Sequence, residues 1–132
     1  MVGGLVALIA THNVLSPSPF AIVPQALAVA LMLWARVTFG RRSFHLAANP
    51  TEGGLVTTGP YRFIRHPIYA SVCLFTIASV AAHGGWTTLA LGALVMAGAL
   101  TRIFCEEKFL KMRYPEYSKY AAQTRRLVPF VF

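Results

Sequence analysis

At 132 residues, 56% hydrophobic and only 12% charged, the chain has half the charge of a soluble domain, in which about a quarter of residues are charged. That length accommodates one compact unit, residues 1–132, and leaves no room for a separate soluble nucleotide-binding domain. A net charge of +8 would suit nucleic acid, but all twelve Lys and Arg fall within Arg36 to Arg65 and Arg102 to Arg126, which is the positive-inside pattern of a membrane protein and argues against a nucleic-acid partner.

In chain order, Val2 to Leu15 is apolar apart from Thr11, His12 and Asn13, and is expected to form a first membrane helix, short for a full span. The start shows neither a basic leader nor a small-residue cleavage site, so no signal peptide is expected. After an uncharged Ser-Pro-Ser-Pro turn, Phe20 to Phe39 has spanning length, with Pro24 in its first turns and Trp34 and Arg36 toward the far interface. Gly40 to Pro60 is polar and reads as a loop on the basic side. Ile68 to Ala82 is a third helix, His83-Gly-Gly85 a tight turn, and Trp86 to Cys105 a fourth helix. Small residues Ala90, Ala93 and Ala97 suggest a face for close packing on that last helix. A basic tail follows, expected to form two short amphipathic helices separated by Pro115, one carrying Phe109, Leu110 and Met112 and the other Tyr117, Tyr120 and Ala121. Cys73 and Cys105 lack Cys or His neighbours at ligand spacing and read as small apolar residues, with no metal site implied.

The expected fold is therefore an all-α, multi-pass integral membrane protein of about four transmembrane helices, with its basic loop and tail facing the cytoplasm. Its parts are two N-terminal apolar helices (1–39), a cytoplasmic loop (40–66), a helix hairpin (67–105) and an amphipathic tail (106–132).

The most informative stretch is Gly59 to Tyr69, GPYRFIRHPIY, which places an arginine and a histidine at the mouth of an apolar helix. Pro67 suits a first helical position, and His66 before it is biased toward an extended backbone and expected to project from the mouth. The unpaired N–H groups of that first turn make the mouth attractive to an anion. A hairpin returns to the side it left, so Arg102 and Glu106 at the far end of the fourth helix should lie beside His66 and Tyr69, with Tyr61 on the loop. Arg102 and Glu106, four residues apart, share a helix face. A carboxylate at this level needs a cationic partner or ligand.

The runs GLVTTGPYRFIRHPIY and RIFCEEKFLKMRYPEYSKYAAQTRRLVP resemble the isoprenylcysteine carboxyl methyltransferase family and its bacterial relatives grouped with phospholipid methyltransferases, from near Gly40 to the end. The resemblance implies an integral membrane enzyme that uses S-adenosyl-L-methionine. It assigns Leu55, Val56, Tyr61, His66, Pro67, Tyr69 and Glu106 to the cofactor's surroundings, and Arg102 to the reacting end of the acceptor. The implied partners are the bilayer and a lipophilic acceptor: an isoprenylcysteine carboxylate on a prenylated chain, a phospholipid amine, or a similar small molecule. A carboxylate acceptor needs no base and suits an orienting Arg102. An amine or thiol must lose a proton, for which His66 is the candidate base. Where relatives often carry Phe-Gly, this chain has Arg113-Tyr114-Pro115, which leaves the acceptor open. Two further readings stand beside this one: a nicotinamide-dependent lipid or steroid reductase, and a non-catalytic membrane subunit. Oligomeric state is not fixed by the sequence.

Overall fold

A computed structural model describes residues 2–10, 15, 18–40 and 54–129. These residues are all-helical: α1 (Val2–Ala10), α2 (Pro19–Phe39), α3 (Pro67–His83), α4 (Trp86–Arg113) and α5 (Tyr117–Gln123), with a 3₁₀ turn at Gly59–Arg62 before α3. Residues 11–14, on which the expected extension of the first helix rests, and most of the Gly40–Pro60 loop lie outside the described residues; Leu15 itself is not helical.

The helices bury the opposite faces from those of a soluble bundle. On α2 the inward residues are small or polar, Ala21, Gln25, Ala28 and Ala35, whereas Phe20, Val23, Leu27, Leu33 and Val37 point outward. Small residues inside and large apolar ones outside suit a helix surrounded by lipid, where close backbone approach, not apolar burial, drives association. Among the described residues, α2 and α4 are long and apolar enough to cross a membrane; α3 is apolar but shorter. Pro24 deprives α2 of a hydrogen bond in its second turn, and the helix nevertheless runs on to Phe39. Beside it, the buried Gln25 amide donates to Ser79 Oγ of α3 at 3.1 Å and so pins the two helices.

α3 packs on α2 on one side and on α4 on the other, while α1 rests on α4. Pressed between two neighbours, α3 is buried over much of its circumference, with Tyr69, Ser71, Cys73, Thr76, Ala78 and Ser79 inside. Where α3 meets α4, a Cβ built on Gly92 would lie 2.5 Å from Val80 Cγ2, so no larger residue fits without movement. The buried stripe of α4 is Thr88, Gly92, Val95, Ala99, Ile103 and Glu107. This corrects the expectation drawn from Ala90, Ala93 and Ala97, all of which are exposed. Small size permits packing, but the phase of the helix decided which small residues were used.

A second correction concerns the end of the fourth helix. No break occurs at Cys105: α4 continues to Arg113, so Phe109, Leu110 and Met112 belong to it and not to a separate tail helix. At about 1.5 Å per residue, the apolar stretch Trp86 to Cys105 matches the ~30 Å hydrocarbon core, and the charged Glu106 to Arg113 section extends beyond it. The helix ends where Tyr114, preceding Pro115, turns extended at φ −120°, ψ 108°. After this break, α5 folds back against α4 with Tyr117 fully buried, and Leu127 packs on the core of Tyr69, Cys73, Ala99 and Ile103.

Candidate functional site

The approach to the site is set by the 3₁₀ turn. Gly59 has φ +56°, a left-handed value that L side chains resist, and a Cβ there would stand 2.5 Å from Thr38 Oγ1 at the end of α2. Glycine therefore allows the loop to pass close over α2. The turn then buries Pro60 and Tyr61. The Tyr61 ring meets Phe39 with centroids 5.5 Å apart, and its carbonyl accepts a 2.6 Å hydrogen bond from Tyr120 Oη of α5. Burial, with Tyr120 and Glu106 nearby, pushes the Tyr61 hydroxyl well above the ordinary phenol value, so it stays protonated and can donate. Leu55 and Val56, on the irregular segment before the turn, are half-buried.

Pro67 opens α3 as its first residue, with His66 preceding it at φ −126°. His66 does not project from the mouth as the sequence suggests. It is 5% exposed and lies between two carboxylates, with Nδ1 3.8 Å from Glu106 Oε2 and Nε2 3.4 Å from Glu107 Oε1. One step along α3, Tyr69 donates through its hydroxyl to Glu106 Oε1 and accepts from Arg102 Nε at 3.0 Å. Arg102 Nη2 is 4.0 Å from Glu106 Oε1, the i,i+4 relation expected from sequence. The start of α3 and the end of α4's apolar part are thus joined through Tyr69, Arg102, Glu106 and His66. Glu106 keeps 23% of its side chain exposed and Arg102 keeps 34%, so a solute can reach both.

The mouth of α3 is consequently not the bare anion site suggested by its unpaired N–H groups. Arg65, Arg102 and Arg126 with His66 face Glu106 and Glu107, a mixed cluster with both signs available.

Residues 18–117 match the family described as phospholipid methyltransferase. The chain belongs to that family. Among its relatives, a cobalt-zinc-cadmium resistance protein of Cupriavidus metallidurans is 35% identical over 82 residues, 57% of this chain and 35% of that protein. Protein-S-isoprenylcysteine O-methyltransferase A of Arabidopsis thaliana is 34% identical over 101 residues, 74% of this chain and 51% of that protein. The chain spans between about a third and a half of the length of these curated relatives. No solved structure matches it. Membership of a methyltransferase family, together with two helices fit to cross a bilayer, makes this a membrane protein.

Within this phospholipid methyltransferase family member, sequence reasoning missed Glu107 as a buried hub. Arg65 Nε binds its Oε1 at 2.9 Å, and Arg126 Nε its Oε2 at 3.1 Å. Burial alone would push the Glu107 carboxyl up. The hydrogen bonds from His66 and Arg65, with the Arg65 charge, outweigh burial and hold it well below the usual carboxylate range. A signal did exist: Glu107 extends the α4 stripe Val95, Ala99, Ile103 by one more i+4 step, whereas Glu106 is turned about 100° away. Tyr120 was missed as well, since nothing local says that its hydroxyl reaches back to the loop.

Proposed function

We propose that the protein is an S-adenosylmethionine-dependent methyltransferase acting on a lipophilic acceptor at the cytoplasmic boundary of the membrane. The observation that carries this reading is the Tyr69–Arg102–Glu106 group, half-buried beside His66 where α3 and α4 meet.

The donor set suits such a cofactor. Glu106, partly exposed and acceptor-only, would take the cofactor's ammonium group, while Arg102 beside it would face the acceptor. Tyr61 and Tyr69, both buried beside this group, would supply aromatic faces to a cationic sulfur. Leu55 and Val56, with His66 and Pro67, complete the proposed surroundings, the first two supplying apolar cover. When bound, S-adenosylmethionine supplies an electrophilic methyl group on a sulfonium. The protein's own part is to hold the acceptor in line, exclude water and, for an amine or thiol acceptor, receive its proton at His66. A carboxylate acceptor needs only orientation by Arg102.

An apolar groove between α2 and α3, about 170 Å³ and lined by Ala28, Val29, Met32, Leu33, Ser71, Val72 and Phe75, supports a lipid-side route for the acceptor's tail. We also infer four membrane-inserted helices, α1 to α4, with the Arg36–Arg65 and Arg102–Arg126 segments on the cytoplasmic side.

Calorimetric titration of the full chain with S-adenosylhomocysteine and, separately, NADPH tests the cofactor. Binding of the first is expected; binding of NADPH alone would overturn the proposal. Transfer of labelled methyl groups to lipids in vesicles tests the acceptor class, and transfer confined to a water-soluble acceptor would refute the lipophilic assignment.

A further inference from the structure

Adjacent in sequence, Glu106 and Glu107 occupy different environments. Glu106 is partly open and belongs to the Tyr69–Arg102 group, whereas Glu107 is 4% exposed and enclosed by Arg65, Arg126 and His66. The same arginine that binds Glu107 Oε1 also donates through Nη1 to the carbonyls of Ala121 and Thr124 at the end of α5. Backbone pairing continues this link. Arg65 N donates to Arg125 O at 2.6 Å, His66 N to Arg126 O at 3.0 Å, and Arg125 N to Phe63 O at 3.3 Å. A short parallel bridge, Ile64 to Arg125, thus lays the C-terminal segment directly across the residues that lead into α3.

We propose that Glu107 is a positioning residue: it fixes the ring of His66 and, through Arg65 and Arg126, clasps residues 121–126 across the mouth of α3, so that the end of the chain completes the site. The carboxylate only accepts, so its contact with Nε2 calls for the proton to sit on that nitrogen. In the neutral ring the lone pair then lies on Nδ1, on the side of Glu106. Without the Glu107 charge, Arg65 and Arg126 would face each other with no anion between them, and the clasp would be repelled open. Glu107 itself is not proposed to touch cofactor or acceptor. What the clasp serves rests on the methyltransferase reading; its existence does not.

The test uses the full chain in lipid nanodiscs, with Glu107→Leu to remove the acceptor and Glu107→Gln to keep an acceptor but no charge. Nitrogen-15 imidazole spectra, assigned with His66→Gln, report the ring tautomer. Calorimetry with S-adenosylhomocysteine reports the site. The wild type is expected to show the Nε2–H form. Glu107→Leu should give a mixed or inverted tautomer and at least about tenfold weaker binding, Glu107→Gln an intermediate loss with the tautomer kept. Arg126→Ala should lose affinity and Arg126→Lys recover most of it. Val95→Ala, a core change on the α1 side of α4, should lower thermal stability without altering either readout. An unchanged tautomer in Glu107→Leu would overturn the proposal, as would affinity losses no larger than those of Val95→Ala. If Glu107→Leu does not fold, the Glu107→Gln and Arg126→Ala affinities decide: losses no larger than that of Val95→Ala overturn the proposal. Should the wild type bind no S-adenosylhomocysteine, the cofactor reading fails, and the tautomer of His66 still decides the role of Glu107.

Discussion

Replacing Glu106 by glutamine is the perturbation that separates a working cofactor site from a decorative ion pair. The change keeps shape and one acceptor oxygen, so Tyr69 can still donate to the side chain. The carboxylate charge, 4.0 Å from Arg102 Nη2 and 23% exposed, is removed. A partly exposed pair at this separation contributes little to folding, roughly 0–1 kcal/mol, so the unfolding midpoint should move by only a few degrees. A charge-assisted hydrogen bond to a bound ammonium is worth more, about 1.5–3 kcal/mol, or about 10- to 150-fold in affinity. Calorimetry of S-adenosylhomocysteine binding, paired with a thermal melt of the same preparation, measures both quantities. Unaltered affinity in a folded Glu106→Gln protein would show that the carboxylate holds no ligand.

Other outcomes follow from single contacts. Tyr69→Phe deletes the hydroxyl that links Arg102 to Glu106 and should lower kcat at least about tenfold in a labelled-methyl assay while leaving the helical circular dichroism unchanged. Gly92→Ala places a methyl group 2.5 Å from Val80 Cγ2 and should destabilise the α3–α4 contact by about 1–3 kcal/mol, read as a lower midpoint in a thermal melt. The Glu107 carboxyl is held below its unfolded value, so its stabilisation is fully present above the ordinary carboxylate range and is lost as pH falls through the folded value. Melts between neutral and acid pH should therefore show a fall that Glu107→Gln reduces.

Much of the site was legible because helix geometry carries information over short distances. The i,i+4 spacing placed Arg102 with Glu106, and the hairpin between His83 and Trp86 returned that pair to Tyr69 and His66. Pro67 and Pro115 marked a helix start and a helix end, since each constrains its own backbone and that of the residue before it. The extension of α4 to Arg113 was less legible, because Glu106 onward changes polarity without changing conformation. Hydropathy reports where lipid ends, and a helix continues past that point as long as its backbone bonds are satisfied.

By itself the sequence determined the composition of a lipid-facing bundle, the glycine and proline punctuation, and the residues gathered at the mouth of α3, because each depends on local sterics or helical period. Only the tertiary structure decided that His66 is buried between two carboxylates, that Glu107 and not Glu106 is the enclosed charge, and that Arg65 binds a segment 56 to 59 residues away. Those outcomes depend on the rotation of α4 about its axis and on where the chain's end comes to rest, and both are set by packing between elements that no local pattern encodes.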